Sequence, residues 1–521
     1  MKKPIKICLV DIKIPYAPKG IIPLNLVILA SYLLEHTTLT KKQIKIINAS
    51  SDSSINRIIE FQPDIIGLSI VTPAYEQAKK FAAILKSKLR CVIVIGGHHI
   101  TGIPSCFQQP FDVGVIGEGE GALTDLIQLV SNGIPLTPEV FKTIPNLVYR
   151  DKKNNIIINP MRALLKPEEI PSYHWSLQYP EEIAQYKTVV HNGQVQTVLN
   201  VPIFSARGCP YRCIFCARQI LWKLGAGFRF IPLDRVVDDI EYLYKTYHVT
   251  SIEILDDTFA VSKERIRLLL AKLKQKKLIG KIVFSQIFVR ANLIDEEFAE
   301  YLKQLGVCAV FMGVESGSPR ILKLLKNGSL QVHHVKRAMQ IFASVGIRVY
   351  GSFMLFAPTE TNADIEKTFT LAEWFAKQPN AHDIGQNLTA PFPGTALWDM
   401  AVRSKKIDPL TIQWNRIVTS YHSLDIGSKV MFRNGRSIPQ LNAYWKRMHD
   451  LVMAIHTRNQ QLPGWKASEQ TVDKFNQKRA VRLTMRRKID RIREHPTIIF
   501  KLAFKFLVRK FLMKVVRKLS R

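Results

Sequence analysis

Ser205-Ala-Arg-Gly-Cys209-Pro-Tyr-Arg-Cys213-Ile-Phe-Cys216 sets three cysteines at CxxxCxxC spacing, directly after Pro202–Ser205, a short run read as the first strand of a β/α series. A [4Fe–4S] cluster ordinarily takes four thiolates. Three close cysteines without a fourth beside them leave one iron open, as three-ligand zinc sites keep a position for water or substrate. Structural zinc is the other reading of the triad, but zinc in that role prefers four ligands, and no histidine lies within fifteen residues.

Downstream of the triad, apolar runs and helical patterns alternate. Strands are predicted at Ser251–Leu255, Ile282–Ile287, Ala309–Val314, Arg348–Leu355 and Ile384–Leu388, separated by helices over 234–246, 263–274, 296–305, 332–345 and 362–376. With the strand before the cysteines this makes six, an open or partial (β/α)6 barrel over residues 198–425 with its chemistry at the carboxyl ends of the strands. Upstream, residues 1–140 carry five β-branched runs (5–10, 44–48, 65–70, 92–95 and 113–116) with helices between them, the pattern of a doubly wound Rossmann-like domain. Its ligand site is expected beyond the strand ends, where Ser69, Thr72, Gly96, Gly97, Gly117, Glu118, Gly119 and Glu120 stand. Such glycine pairs are also ordinary turns. Residues 141–197 read as a linker with a strand pair, 426–495 as a helical region, and 496–521 as a basic amphipathic tail. The fold class is thus α/β: Rossmann-like domain, partial barrel, helical C-terminal region.

The chain has 521 residues, too many for one compact domain, and its 47% apolar and 22% charged content excludes a disordered or disulfide-scaffold protein. Seven cysteines, an odd number with three in eight residues, read as a reduced intracellular protein holding a metal. Neither a cleavable signal nor a spanning helix is expected. The net charge of +32 calls for an anionic partner, but residues 478–521 hold 16 Lys and Arg against 2 acids. The tail reads as an interfacial helix for an anionic membrane surface, so the expected location is cytoplasmic and peripheral on the inner face of the membrane. A helix packed on the barrel is the bland alternative. Nucleic acid is disfavoured, since the tail's aromatics are all phenylalanine and no RNA-binding motif accompanies them.

At these motifs the sequence resembles the radical SAM family, in the group with an N-terminal cobalamin (B12)-binding domain, and within it the B12-dependent radical SAM methyltransferases. The likeness rests on the cysteine loop with Phe215, then Ile254-Leu-Asp-Asp-Thr-Phe259, Val289-Arg-Ala-Asn292, Gly313-Val-Glu-Ser-Gly-Ser318 and Pro391-Phe-Pro-Gly-Thr395, in the family's order and spacing. It implies that the open iron chelates S-adenosylmethionine, whose cleavage by an electron from the cluster gives a 5′-deoxyadenosyl radical that abstracts hydrogen. It also implies SAM contacts at Phe215, Asp256, Asp257, Arg290, Glu315 and Ser316. A helix cap is the other reading of Asp256-Asp257, but two adjacent acids at a strand end exceed what capping requires, and Arg290 can equally pair with a barrel carboxylate.

The same resemblance makes the eight strand-end residues of the first domain cobalamin contacts. The usual Asp-x-His-x-x-Gly is missing; in its register Lys13 takes the histidine's place, and a protonated lysine has no lone pair for cobalt. Cobalamin is therefore expected His-off. The implied activity is C-methylation of an unactivated carbon on a small-molecule or lipid substrate, with flavodoxin or ferredoxin as electron donor. A cyclase or oxidoreductase of the same group, or a non-catalytic iron–sulfur electron-transfer protein, are the alternatives. The methylthiotransferases are disfavoured, since the other cysteines form no second compact set.

Overall fold

Two seven-stranded sheets organise the chain in the computed structural model, which describes residues 4–12, 23–49, 52–178, 180–225, 227–420 and 423–494. The first sheet contains β1 (Ile7–Ile12), β2 (Ile44–Ala49), β3 (Ile65–Ser69), β4 (Val92–Gly96), β5 (Val113–Val115), β6 (Leu147–Arg150) and β7 (Ile156–Ile158). Its order is β2-β1-β3-β4-β5-β6-β7, parallel through β5 and antiparallel from there. Order reverses between β1 and β3, the switch point at which doubly wound sheets open a ligand crevice. The strand pair read as part of a linker instead extends this sheet. Leu147 and Val148 are wholly buried against three-residue β5, so a free hairpin would have exposed them.

The second sheet contains β8 (Gln185–His191) and β9 (Gln194–Ile203), followed by β12 (Ser251–Ile254), β13 (Val283–Val289), β14 (Ala309–Glu315), β15 (Arg348–Leu355) and β16 (Ala381–Leu388). A small hairpin, β10 (Ala206–Arg207) with β11 (Arg229–Phe230), stands between them in sequence. The order β16-β15-β14-β13-β12-β9-β8 gives the six expected parallel strands, with β8 added as an antiparallel edge. The sequence reading missed β8. Asn192 and Gly193, both at positive φ (50° and 74°), make the tight turn that joins it to β9.

The two last helices cover both free edges of this open sheet. The helix Ile438–Gln460 lies on β16, where Gln386 Nε2 donates to the Trp445 carbonyl at 2.6 Å. The helix Trp465–Glu494 lies on β8, where Asn476 exchanges two 3.0 Å hydrogen bonds with the backbone of Tyr186. Edge strands left bare invite foreign pairing, so this packing closes the barrel without closing its sheet. No helix among the described residues is long and apolar enough to cross a membrane. Lys13 and the tail helix expected over 496–521 lie outside the described residues.

Glu360, in the loop after β15, is 1% exposed; its Oε2 accepts from the N–H groups of Phe356 and Ala357 at 2.6 and 3.0 Å, and its Oε1 has no partner. Burial pushes its carboxyl up to about 7. A carboxyl raised on folding holds its proton in the native state while the unfolded chain has lost it. Stability is therefore full below the unfolded value and falls as pH rises from about 4.5 to 7, by about 3 kcal/mol in all. Glu360→Gln should flatten the urea-unfolding stability over that window. Parallel pH profiles for the two proteins would contradict the assignment.

Candidate active site

The cysteine loop runs between β10 and the helix Arg218–Lys223, beyond the carboxyl end of β9. It is pinned from several sides. Ile214 donates its N–H to the Leu325 carbonyl and accepts from the Leu397 N–H, both at 3.0 Å. Trp222 Nε1 donates to the Cys209 carbonyl at 2.8 Å, and Gln219 bridges the Arg212 carbonyl to the Ala396 N–H. Ile214 and Phe215 pack on Ile321, Leu325 and Ala357. These contacts fix the loop backbone from several sides, which is what positions a metal site precisely enough for chemistry.

The three thiols act electrostatically on one another, and burial pushes Cys216 up to about 12 and raises Cys209. Thiolates here need a cation to carry their charge, and iron would supply it. A donor to sulfur is in place: Arg290 Nη1 lies 3.7 Å from Cys213 Sγ, while Thr258 Oγ1, which donates to the Asp257 carbonyl at 2.7 Å, lies 3.5 Å from Cys209 Sγ. Arg290 is fixed by stacking on the Tyr211 ring at 3.9 Å and by donating to Asn292 Oδ1 at 2.9 Å. No three His, Cys, Asp or Glu side chains among the described residues converge as a single ion requires. Three free thiols in one loop, acting on one another and with a guanidinium beside them, are a donor set that fits a [4Fe–4S] cluster held by Cys209, Cys213 and Cys216.

The expected SAM contacts divide into two sets. Asp257 lies within electrostatic reach of Cys209 and Cys216, and its Oδ1 takes Arg218 Nε at 2.8 Å. Glu315 ends β14 at φ +63° and makes a buried ion pair with Lys326 at 2.7 Å, with the Lys326 ammonium 5.5 Å over the Phe215 ring. Phe215, Asp257, Arg290 and Glu315 are thus brought around the cysteines. Asp256 and Ser316 face elsewhere. Asp256 Oδ1 accepts from the N–H groups of Ser205 and Ala206 at 2.6 and 3.0 Å, fixing the turn into the cysteine loop, and burial pushes its carboxyl up to about 7. Ser316 Oγ meets Thr368 Oγ1 at 2.9 Å and accepts from the Ser318 N–H at 3.1 Å, fully buried. Both are positioning residues. Sequence reading missed Arg218 and Lys326, which no motif marks.

At the first domain's strand ends the glycines also divide. A Cβ on Gly97 (φ +100°) would stand 2.4 Å from the Ile70 carbonyl oxygen, so packing demands that glycine, whereas Gly117 is required by its φ of +77°, the nearest atom to a Cβ there being the movable end of Met161 at 2.8 Å. A Cβ on Gly96 or Gly119 would make only ordinary contacts, at 3.9 Å or beyond, so packing does not demand a glycine at either position. Ser69 Oγ accepts from Asn25 Nδ2 at 3.0 Å, and Thr72 Oγ1 meets His99 Nδ1 at 3.3 Å. His99 is a core residue, its ring 4.4 Å from Tyr75 and 4.6 Å from Trp414.

Glu118 and Glu120, expected as cobalamin contacts, turn instead to arginines of the β10–β11 hairpin. Arg207 reaches Glu118 Oε1 at 3.2 Å and Glu120 Oε1 at 2.7 Å, and Arg229 grips Glu118 as well. Burial would raise the Glu118 carboxyl, but Arg229 and Arg207 hold it below the usual range. Arg207 stands two residues before Cys209, so this network fastens the first domain directly to the cysteine loop. A second seam brings two backbones together. A Cβ on Gly102 would lie 2.3 Å from the Pro393 carbonyl oxygen, so Pro391-Phe-Pro-Gly-Thr395 is where barrel and first domain touch backbone to backbone. His98 and Arg218 interact electrostatically across the same junction. Both sets of strand ends thus meet at one loop.

The comparisons agree with this geometry. Residues 203–372 match the Radical SAM superfamily and residues 17–127 match the B12 binding domain. A Pyrococcus horikoshii protein described as an uncharacterized methyltransferase is 31% identical over 409 residues, covering 76% of this chain and 82% of its own. The anaerobic magnesium-protoporphyrin IX monomethyl ester cyclase of Rubrivivax gelatinosus is 26% identical over 62% of this chain and 57% of its own. In fold, the chain is like the radical S-adenosylmethionine methyltransferase TsrM of Kitasatospora setae, solved with cobalamin and a [4Fe-4S] cluster bound. The TM-score is 0.62 at 16% identity, covering 87% of this chain and 89% of that one. A pinned CxxxCxxC loop at the mouth of a partial barrel, joined to a B12-binding sheet and matched over most of its length by such relatives, places this chain in the radical SAM superfamily, in the group that carries a B12-binding domain.

Proposed function

We propose that the chain is a cobalamin-dependent radical SAM C-methyltransferase acting on an unactivated carbon. The observation that carries this reading is the shared loop: the residues preceding Cys209 are tied by Arg207 to Glu118 and Glu120 of the first domain, so two cofactor sites adjoin across one junction. When bound, the cluster supplies the electron that cleaves S-adenosylmethionine, and cobalamin supplies the methyl group. The chain's part is binding and exclusion. Cys209, Cys213 and Cys216 hold the cluster; Asp257 and Glu315 offer carboxylates to the cofactor's ammonium, Arg290 offers a cation to its carboxylate, and Phe215 walls the loop. Gly96 and Gly119 give cobalamin room, beside Ser69 and Thr72. The relative named as a cyclase keeps a second reading alive, in which the same radical start leads to ring closure.

The test is anaerobic reconstitution with iron, sulfide and hydroxocobalamin, followed by S-adenosylmethionine labelled in its methyl group and a strong reductant. Release of 5′-deoxyadenosine together with labelled methylcobalamin is expected. Deoxyadenosine without any methyl transfer to cobalamin would favour the cyclase reading. A four-iron protein that makes neither would sink both. A small-molecule or lipid substrate and an electron donor of the flavodoxin or ferredoxin type belong to the same proposal.

Peripheral membrane docking is a further part of it. On the last helix Val481, Met485 and Ile489 are 54%, 58% and 48% exposed at i, i+4 and i+8, with exposed Lys478, Arg482 and Lys488 around them. An apolar stripe in a basic field, continuing into the basic stretch 496–521, suits an anionic bilayer surface. Full-length protein should sediment with phosphatidylserine vesicles, and both truncation after Arg493 and replacement of the three apolar residues by serine should lower recovery. Equal recovery of all three proteins would refute docking.

A further inference from the structure

At the amino-terminal end of the barrel strands, opposite the cysteine loop, lies a cavity of about 110 Å³ lined by Lys187, Ser285, Gln286, Cys308, Arg348 and His382 among others. That volume holds roughly three or four waters at about 30 Å³ each, or one small oxyanion. Arg348, the first residue of β15, is 7% exposed. Its Nη2 donates to the Ala381 carbonyl at 3.0 Å and to Asn459 Oδ1 at 2.5 Å, while its Nε finds no acceptor. His382 Nδ1 is a second polar atom without a partner in the same wall.

The charge there is one-sided. Among the described residues no Asp or Glu makes an ion pair with Arg348. The charge that acts on it is Arg458, whose own Nη atoms donate to the Ala376 and Ala381 carbonyls at 2.7 and 2.8 Å. Burial, then Arg458, pushes Arg348 down to about 10. The neighbouring acids are engaged: Glu253 with Lys187 and Asn200, and Asp383 with the Ile384 N–H at 2.7 Å. Lys187, with 42% of its side chain exposed, stands at the rim already paired with Glu253. Water can fill the missing hydrogen bonds but cannot neutralise a buried guanidinium, and a planar guanidinium with a free N–H is suited to oxygen anions.

We propose that this cavity is an anion site that takes a small oxyanion, phosphate or carboxylate, against Arg348 Nε and His382 Nδ1. The bound anion joins β15, β16 and β8 and reaches the helix Ile438–Gln460 through Asn459. It lies at the end of the barrel that serves stability rather than chemistry. Its binding therefore stabilises the fold and leaves the reaction at the opposite end unchanged.

Thermal unfolding of the full-length reconstituted protein, with inorganic phosphate or acetate replacing chloride at constant ionic strength, tests this. The midpoint should rise saturably, by roughly 2–4 °C, with at least one of the two oxyanions. The more effective one identifies the class. Arg348→Gln should abolish the rise. Asn459→Asp, which sets a carboxylate where Arg348 already has a partner, should raise the midpoint without added anion and remove the response, so the test survives if Arg348→Gln does not fold. No response to either oxyanion, or an equal response in Asn459→Asp, would overturn the proposal.

Discussion

Cys213→Ala is expected to leave the protein, reconstituted with iron and sulfide, without iron–sulfur absorbance and unable to release 5′-deoxyadenosine. Of the three thiols, Cys213 is the one that Arg290 Nη1 faces at 3.7 Å and that Lys326 acts on through space, and it sits beside Ile214, whose N–H and carbonyl are both held. The backbone is therefore held against shifting to bring another ligand into its place. Two thiolates hold a four-iron cluster poorly. Arg290→Met should behave differently. It keeps all three thiolates and so should keep iron and sulfide near the wild-type amount, but it removes a donor to sulfur, and changes of that kind cost about 10–100-fold in metal affinity or activity. Iron and sulfide assays on both proteins check the pair. Full cluster content in Cys213→Ala would mean that the loop is not the metal site, and zinc without sulfide in the wild type would restore the structural-zinc reading.

Much of the architecture is legible because its signals are local. The β-branched runs that give β1 to β5 and the six parallel strands of the barrel alternate with helical patterns, and each is short enough for periodicity to mark it. β8 is half-exposed along most of its length and reads as polar, so its only local signal is Asn192-Gly193, a hairpin turn that deserved more weight. Partner choice is harder to read, because it depends on elements far apart in sequence. The adjacent acids Asp256 and Asp257 look alike in sequence but face opposite ways, one into the Ser205 turn and one toward Arg218 and the thiols. Glu118 and Glu120 sit at strand ends as a ligand contact would, yet their arginines arrive from a hairpin about ninety residues on. The glycines of Pro391-Phe-Pro-Gly-Thr395 and of residue 102 become intelligible only as two backbones in contact.

Lys326→Met should destabilise the barrel by about 3–5 kcal/mol, the loss expected when one partner of a buried ion pair is removed and the other is left charged. Lys326 is 7% exposed and Glu315 5% exposed, and they meet at 2.7 Å. The surroundings are built for the pair: a Cβ on Gly313 would lie 2.5 Å from Glu315 Oε1 and 2.9 Å from Lys326 Nζ. Glu315→Gln should also destabilise, whereas the double replacement should recover part of the loss, because neither residue then leaves an unpaired charge. Urea unfolding of the four proteins measures the coupling. The pair also bears on the cysteines, since the Lys326 ammonium lies over the Phe215 ring at 5.5 Å and interacts electrostatically with Cys213, while Leu325 beside it accepts the Ile214 N–H. Reduction adds negative charge at the cluster, so removing the lysine should make reduction harder and removing the glutamate should make it easier. A purely structural pair would shift both midpoints in the same direction. Redox titration of the reconstituted variants, followed by electron paramagnetic resonance, separates the two, and equal potentials in both single variants would reduce Lys326 and Glu315 to a packing device.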